Sequence, residues 1–85
     1  MKPLSGIRVV DFTTLLPGPL ATLILSEAGA EVIKIERPGG EDIRRSPPFI
    51  NNESVMFAML NRGKRSIEID IKNKSGLEKI IRLIE

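Results

Sequence analysis

The run from Ile7 to Arg37 constrains the fold more than any other part of this chain. Ile7-Arg8-Val9-Val10-Asp11 is short, rich in β-branched residues and bounded by a loop, which is the pattern of a buried strand. Thr13 to Pro19 forms a turn, and Pro19 suits a first helical position because its missing N–H costs nothing there. Leu20 to Ala28 is apolar nearly all round, which predicts a helix covered on both sides. Gly29 supplies the usual C-terminal stop. Glu31 to Glu36 reads as a second strand, and Arg37-Pro38-Gly39-Gly40 turns the chain away. A crossover of this length between two strands predicts a parallel, right-handed βαβ unit, hence an α/β fold.

The remainder adds a third strand and two helices. Arg37 to Asn52 is rich in Pro, Gly and charge and reads as a long loop, a functional or mobile feature in a small domain. Glu53 to Leu60 predicts a short helix with Val55, Met56, Met59 and Leu60 as its apolar positions. Arg65 to Ile71 alternates strictly, with Ile67, Ile69 and Ile71 on one face, as in an edge or half-exposed strand. Ser75 and Glu78 have the spacing of a capping box, opening a helix with Leu77, Ile80, Ile81 and Ile84 on its apolar face. With 85 residues there is room for one small domain. Its strands read as apolar on both faces, and three helical patches do not cover such a sheet. The expectation is therefore a single segment completed by more chain or by a partner subunit.

Composition removes several chemistries. The chain has no cysteine and no histidine, which excludes disulfides, thiolate catalysis, the usual zinc sites and a histidine base. A net charge of +2 is too small to argue for nucleic acid, and Phe12, Phe49 and Phe57 form no stacking stripe. No run approaches the roughly twenty apolar residues of a membrane span. The first residues lead almost directly into a strand, without the layout of a signal peptide, so a cytoplasmic location is expected.

In an open parallel sheet, ligands bind beyond the carboxyl ends of the strands. That edge should collect Asp11 to Pro19, Glu36 to Arg45 and Asp70 to Lys74, bringing Arg37 and Lys72 together for an anionic ligand. The helix start at Gly18-Pro19 adds N–H groups and a positive dipole end. Glu36 could hold a ribose as in dinucleotide-binding folds, but Leu15-Leu16-Pro17-Gly18-Pro19 replaces the G-x-G-x-x-G cradle. An arginine directly after the second strand suits a nucleotide with an extra phosphate, such as the 3′-phosphate of coenzyme A. Arg44, Arg45, Arg62, Lys64 and Arg65 read as solvated charges offset by Glu41 and Asp42, and Asp11 as a loop-ordering acceptor.

Four stretches then resemble the N-terminus of the family III CoA-transferases, the group of formyl-CoA transferase, carnitine CoA-transferase and α-methylacyl-CoA racemase. They are Leu4 to Thr13, Pro17-Gly18-Pro19, Gly29 to Gly40 and Asn61 to Asp70. The resemblance implies the front part of a larger Rossmann-like fold, a parallel sheet with helices on both faces, with residues 1–85 as one CoA-binding segment and no second domain. It implies a CoA thioester as substrate, no metal, and either a homodimer or the remainder of a longer chain as partner. The implied CoA contacts are Leu15, Leu16 and Pro17 in the loop after the first strand, Arg37 after the second, and Ile69 and Lys72 at the third. In the family the catalytic aspartate lies downstream of this stretch, so no catalytic residue is assigned and the segment alone is expected to be inactive. A stand-alone CoA-binding or interaction module, or the front of a racemase-type isomerase, are the alternative readings.

Overall fold

A computed structural model describes residues 2–84. In chain order the elements are β1 (Arg8–Asp11), α1 (Pro17–Glu27), β2 (Glu31–Glu36), a 3-10 turn (Asp42–Arg45), β3 (Phe49–Ile50), β4 (Glu53–Ser54), α2 (Val55–Asn61), β5 (Arg65–Glu68) and α3 (Lys74–Ile84). β1, β2 and β5 form a parallel sheet in the order β1-β2-β5, so β2 is central and the third main strand is an edge, as the alternation predicts. β3 and β4 form a separate hairpin of two-residue strands, β3 within the predicted long loop and β4 in the first two residues of the predicted helix Glu53 to Leu60.

Register divides the sheet into two unlike faces. Val10 pairs with Ile33 and Ile35 with Ile67, so these side chains share one face. α3 covers it: Ile33, Ile35, Ile69 and Ile80 form a buried cluster with Val10, Ile67 and Leu83 packed around it. Each such aliphatic side chain stabilises the fold by about 1.5–3 kcal/mol when fully buried. On the opposite face Asp11 pairs with Lys34, Lys34 with Ser66, and Glu36 with Glu68. α1 lies there, its Thr22 hydroxyl donating to Asp11 Oδ2 at 2.7 Å. The expectation of strands apolar on both faces is therefore corrected. β2 is buried on both faces, but one face carries Lys34 and Glu36, both almost wholly inaccessible.

The helices differ from expectation in boundary and facing. α1 starts at Pro17 rather than Pro19, with Leu16 as N-cap and Leu15 at φ 66. Its buried residues are Pro19, Thr22 and Leu23, whereas Leu20 and Ile24 are exposed, so it is covered on one side only. Its end matches the glycine signal. Gly29, at φ +107, donates to Ser26 O and Ala30 donates to Leu25 O, a paired bond pattern that a left-handed glycine closes at no steric cost. In α2, Phe57 and Leu60 are buried with Ile43, while Met56 and Met59 are exposed. Ser54 caps this helix, accepting from Phe57 N at 3.3 Å. In α3 the cap is Asn73, whose Oδ1 accepts from Ser75 N at 2.8 Å, not Ser75 itself. Ile80 and Leu83 face the sheet; Leu77, Ile81 and Ile84 are exposed.

β5 stops at Glu68, three residues before the predicted end. Ile69 N still donates to Glu36 O at 2.9 Å, but the chain then turns, with Asn73 N bonded to Asp70 O at 3.1 Å. Gly76 allows that turn to lie against α3, since a Cβ there would sit 2.1 Å from the Asp70 carbonyl oxygen. Among the described residues, no helix is long and apolar enough to cross a membrane.

Candidate functional site

Beyond the carboxyl ends of β2 and β5 lies a cleft of about 620 Å³, within the range of small-molecule pockets. The loop after β1 lends it Phe12 and Thr14, and the loop after β2 lends Arg37, Pro38, Glu41 and Asp42. The turn after β5 lends Ile69, Asp70, Ile71 and Lys72. Three of the six expected contacts, Arg37, Ile69 and Lys72, thus meet around one opening although they lie far apart in sequence. Leu15, Leu16 and Pro17 do not line it; Leu15 and Leu16 stand exposed at the start of α1.

The turn after β5 is shaped by its own polar atoms. Asp70 Oδ1 accepts from Lys72 N at 3.0 Å, which folds the backbone back at the cleft and leaves the Lys72 ammonium without an ion-pair partner among the described residues. Ile69 is 5% exposed and adds an apolar wall.

The loop after β2 is organised by Glu36. Arg44 grips its carboxylate with two hydrogen bonds of 2.6 Å, Nε to Oε1 and Nη2 to Oε2. Glu41 N donates to Oε1 at 3.0 Å, and the Ser66 hydroxyl donates to Oε2. Burial works against this charge, but the Arg44 bonds, the Glu41 N–H and the nearby Arg44 and Lys34 cations outweigh it, holding the carboxyl below its ordinary value. The same contact raises the Arg44 guanidinium, which also stacks 3.7 Å from the Phe57 ring centre. Glu36 is therefore fully engaged within the protein. It has no free acceptor geometry for a ribose, and the dinucleotide reading fails on this contact as well as on the missing glycine cradle. Arg37, the next residue, points outward. Its Nε donates to Gly40 O at 3.3 Å and its Nη2 pairs with Asp42, yet its side chain remains 60% exposed.

Two buried ion pairs escape a reading of the sequence as solvated charge. The Lys64 side chain is buried, and its Nζ reaches Asp11 Oδ2 at 3.4 Å, Pro19 O at 3.0 Å and Asn61 Oδ1 at 2.8 Å. Three acceptors require the three hydrogens of an ammonium. Burial nonetheless pushes that ammonium down, with Asp11 opposing the shift. Asp11 also accepts from Thr13 N at 2.7 Å and Thr13 Oγ1 at 2.5 Å. Burial opposes its charge too, but the Thr13 and Thr22 hydrogen bonds and Lys64 hold the carboxyl below its usual range. Asp11 orders its loop, as its position before Thr13 and Thr14 implies. The second pair joins Lys34 Nζ to Glu41 Oε2 at 2.6 Å, both side chains sealed from solvent, and Lys34 Nζ also donates to Thr13 O at 2.9 Å. For Lys34 the signal is present in the sequence, since a lysine inside a strand buried on both faces must find a partner; Lys64, in a turn, carries no such signal.

Comparison with known proteins bears on what such a cleft serves. The chain is 53% identical over 79 residues to succinyl-CoA:glutarate CoA-transferase of Mus musculus, covering 91% of this chain and 18% of that protein. It is 46% identical over 86 residues to formyl-CoA:oxalate CoA-transferase of Afipia carboxidovorans, covering 99% of this chain and 20% of that protein. A crystal structure of a CaiB/BaiF family protein from Brucella suis superposes with a TM-score of 0.90 at 38% identity, over 98% of this chain and 23% of that one. The chain thus spans about a fifth of the length of these relatives. The family model for CoA-transferase family III matches residues 4–85, and the chain belongs to that family.

Proposed function

We propose that this chain is the CoA-binding N-terminal portion of a family III CoA-transferase, an enzyme class that moves CoA between an acyl-CoA and a carboxylic acid. The observation that carries the reading is the meeting of Arg37, Ile69 and Lys72 around one cleft at the carboxyl edge of the sheet. Ile69 offers an apolar surface for a purine ring, and Arg37 and Lys72 offer cations for phosphate. Arginine suits the position because its planar fork can stack on a ring and donate to a phosphate together. The relatives' names join CoA to different acids, glutarate and oxalate, at comparable identity over this stretch. What they share is CoA, and that shared part is what this segment is read to hold. Leu15 to Pro17 lie outside the cleft lining but stand exposed at the start of α1, where they would meet the longer arm of CoA.

The carboxylates described above are occupied by structural partners, Asp11 by Thr13, Thr22 and Lys64, and Glu36 by Arg44. On this reading the 85 residues bind CoA without supplying a nucleophile. Calorimetry of purified protein with CoA tests the site. Arg37→Ala removes a charge-assisted contact worth roughly 1.5–3 kcal/mol and should weaken CoA about ten- to a hundredfold. The loss should shrink with a CoA analogue lacking the 3′-phosphate if that group is the partner. Parental affinity in the variant would make Arg37 a solvated loop residue.

A further inference from the structure

The Lys34–Glu41 pair is poorly satisfied as a stabilising device. Both side chains are sealed from water, their contact is ionic, and neither Glu41 carboxylate oxygen accepts a hydrogen bond among the described residues. Taking two charges out of water with so little compensation is costly, and well-packed apolar residues in such places are often as stable or more so. Placement supplies another reason for the pair. Lys34 sits in mid-sheet on the central strand, and its ammonium holds Thr13 O on one side and Glu41 on the other. Thr13 belongs to the loop after β1, whose Thr14 lines the cleft; Glu41 belongs to the loop after β2 and lines the cleft itself. Among the described residues, no other hydrogen bond or ion pair joins these two loops.

We infer that Lys34 and Glu41 are positioning residues, a buried charged strut that fixes the spacing between the two loops framing the cleft. The strut touches no ligand. It sets where Thr14 and Arg37 stand relative to each other, and with it the fit of whatever the cleft holds. Glu36 and Arg44 anchor the second loop to the sheet on their own, so the strut is needed for registration between loops and not for their attachment.

The experiment is a comparison of Lys34→Met/Glu41→Leu with Glu41→Gln. The double variant replaces both charges by apolar groups, while the glutamine keeps an acceptor for Lys34. Amide hydrogen exchange at Thr13 reports on the first loop and at Glu41 and Arg44 on the second, since their N–H groups are bonded to Asp11, Glu36 and Glu41. In the double variant the first loop should exchange about tenfold faster while the thermal midpoint holds or rises, with less change at Glu41 and Arg44, which Glu36 holds. Glu41→Gln keeps an acceptor for Lys34 but strands its charge, so the first loop should stay near parental exchange while the thermal midpoint falls. An unchanged first loop in the double variant overturns the strut. CoA affinity by calorimetry is the second arm, and it rests on the CoA reading above. It should fall about tenfold in the double variant alone, and parental affinity with loosened loops also overturns the positioning role. If the parent itself fails to bind CoA, the CoA reading fails and the exchange arm decides the strut by itself. Should the double variant not fold, the uncharged Lys34→Met/Glu41→Gln tests the same link, and parental exchange at Thr13 in it would refute the proposal.

Discussion

The two faces of the sheet solve the same burial problem by different physics. The α3 face is aliphatic: Ile33, Ile35, Ile69 and Ile80 stabilise the fold through area removed from water, with little demand on direction. The α1 face buries Asp11, Lys34, Glu36, Glu41 and Lys64, whose favourable energy depends on distance, angle and the presence of every partner. The first face can be trimmed gradually. The second fails when one member is lost, because the charge left behind has no solvent to turn to. The loops that frame the cleft are tied down by this second face, so the site inherits its precision and its fragility.

Asp11→Ala should separate the faces most sharply. It strands Lys64 and frees the Thr13 and Thr22 hydroxyls, with an expected loss of about 3–5 kcal/mol in denaturant unfolding. Asp11→Leu/Lys64→Met removes both charges and should recover much of that loss. Equal destabilisation of the single and double variants would mean that the cost is packing, erasing the distinction between the faces. Ile80→Ala, on the aliphatic face, ranks next, at about 2–5 kcal/mol, with Ile80→Val near 1. A cost for the alanine variant below that of the valine variant's range would show that α3 is loosely docked.

The smallest expected effect is the pH dependence. Asp11 and Glu36 have folded pKa values below their unfolded ones. Their contribution is complete above the ordinary carboxylate range, near pH 4, and is lost as pH falls through the lower folded values. Stability followed from pH 6 down to pH 2 should decline below about pH 4 in the parent and in Ile80→Ala alike, and more shallowly in Asp11→Leu/Lys64→Met. A decline of the same steepness in all three would remove Asp11 from the acid response.

The sequence made the aliphatic face easier to read than the polar one. The βαβ crossover, the Gly29 stop and the edge position of the third strand follow from periodicity and local turn chemistry, which act over a few residues. The convergence of Arg37 and Lys72 follows from the rule for strand ends. What was missed depends on contacts at long range. Lys64 reads as the tip of a cationic turn until Asp11, 53 residues away, is known to face it. Arg44 reads as solvated until the 3-10 turn swings it back onto Glu36 and Phe57. The apolar face of α3 reads wider than the part that meets the sheet face: Ile80 and Leu83 pack there, leaving Leu77, Ile81 and Ile84 exposed. The cap moved from Ser75 to Asn73 because the Asp70 turn, closed against Gly76, brings the helix in two residues early.

Burial of Lys34 and Lys64 has a chemical corollary. Thioesters transfer their acyl group to unprotonated amines, and the CoA-transferases that this chain resembles are named for CoA thioesters. Lys2, Lys72, Lys74 and Lys79 are exposed and open to such acylation, whereas Lys34 and Lys64 have side chains about 1% accessible. The charges on which the polar face depends are those the reagent reaches last. Mass-spectrometric mapping after acyl-thioester treatment should therefore find Lys34 and Lys64 modified only once the sheet opens, which turns these two amines into internal clocks for unfolding.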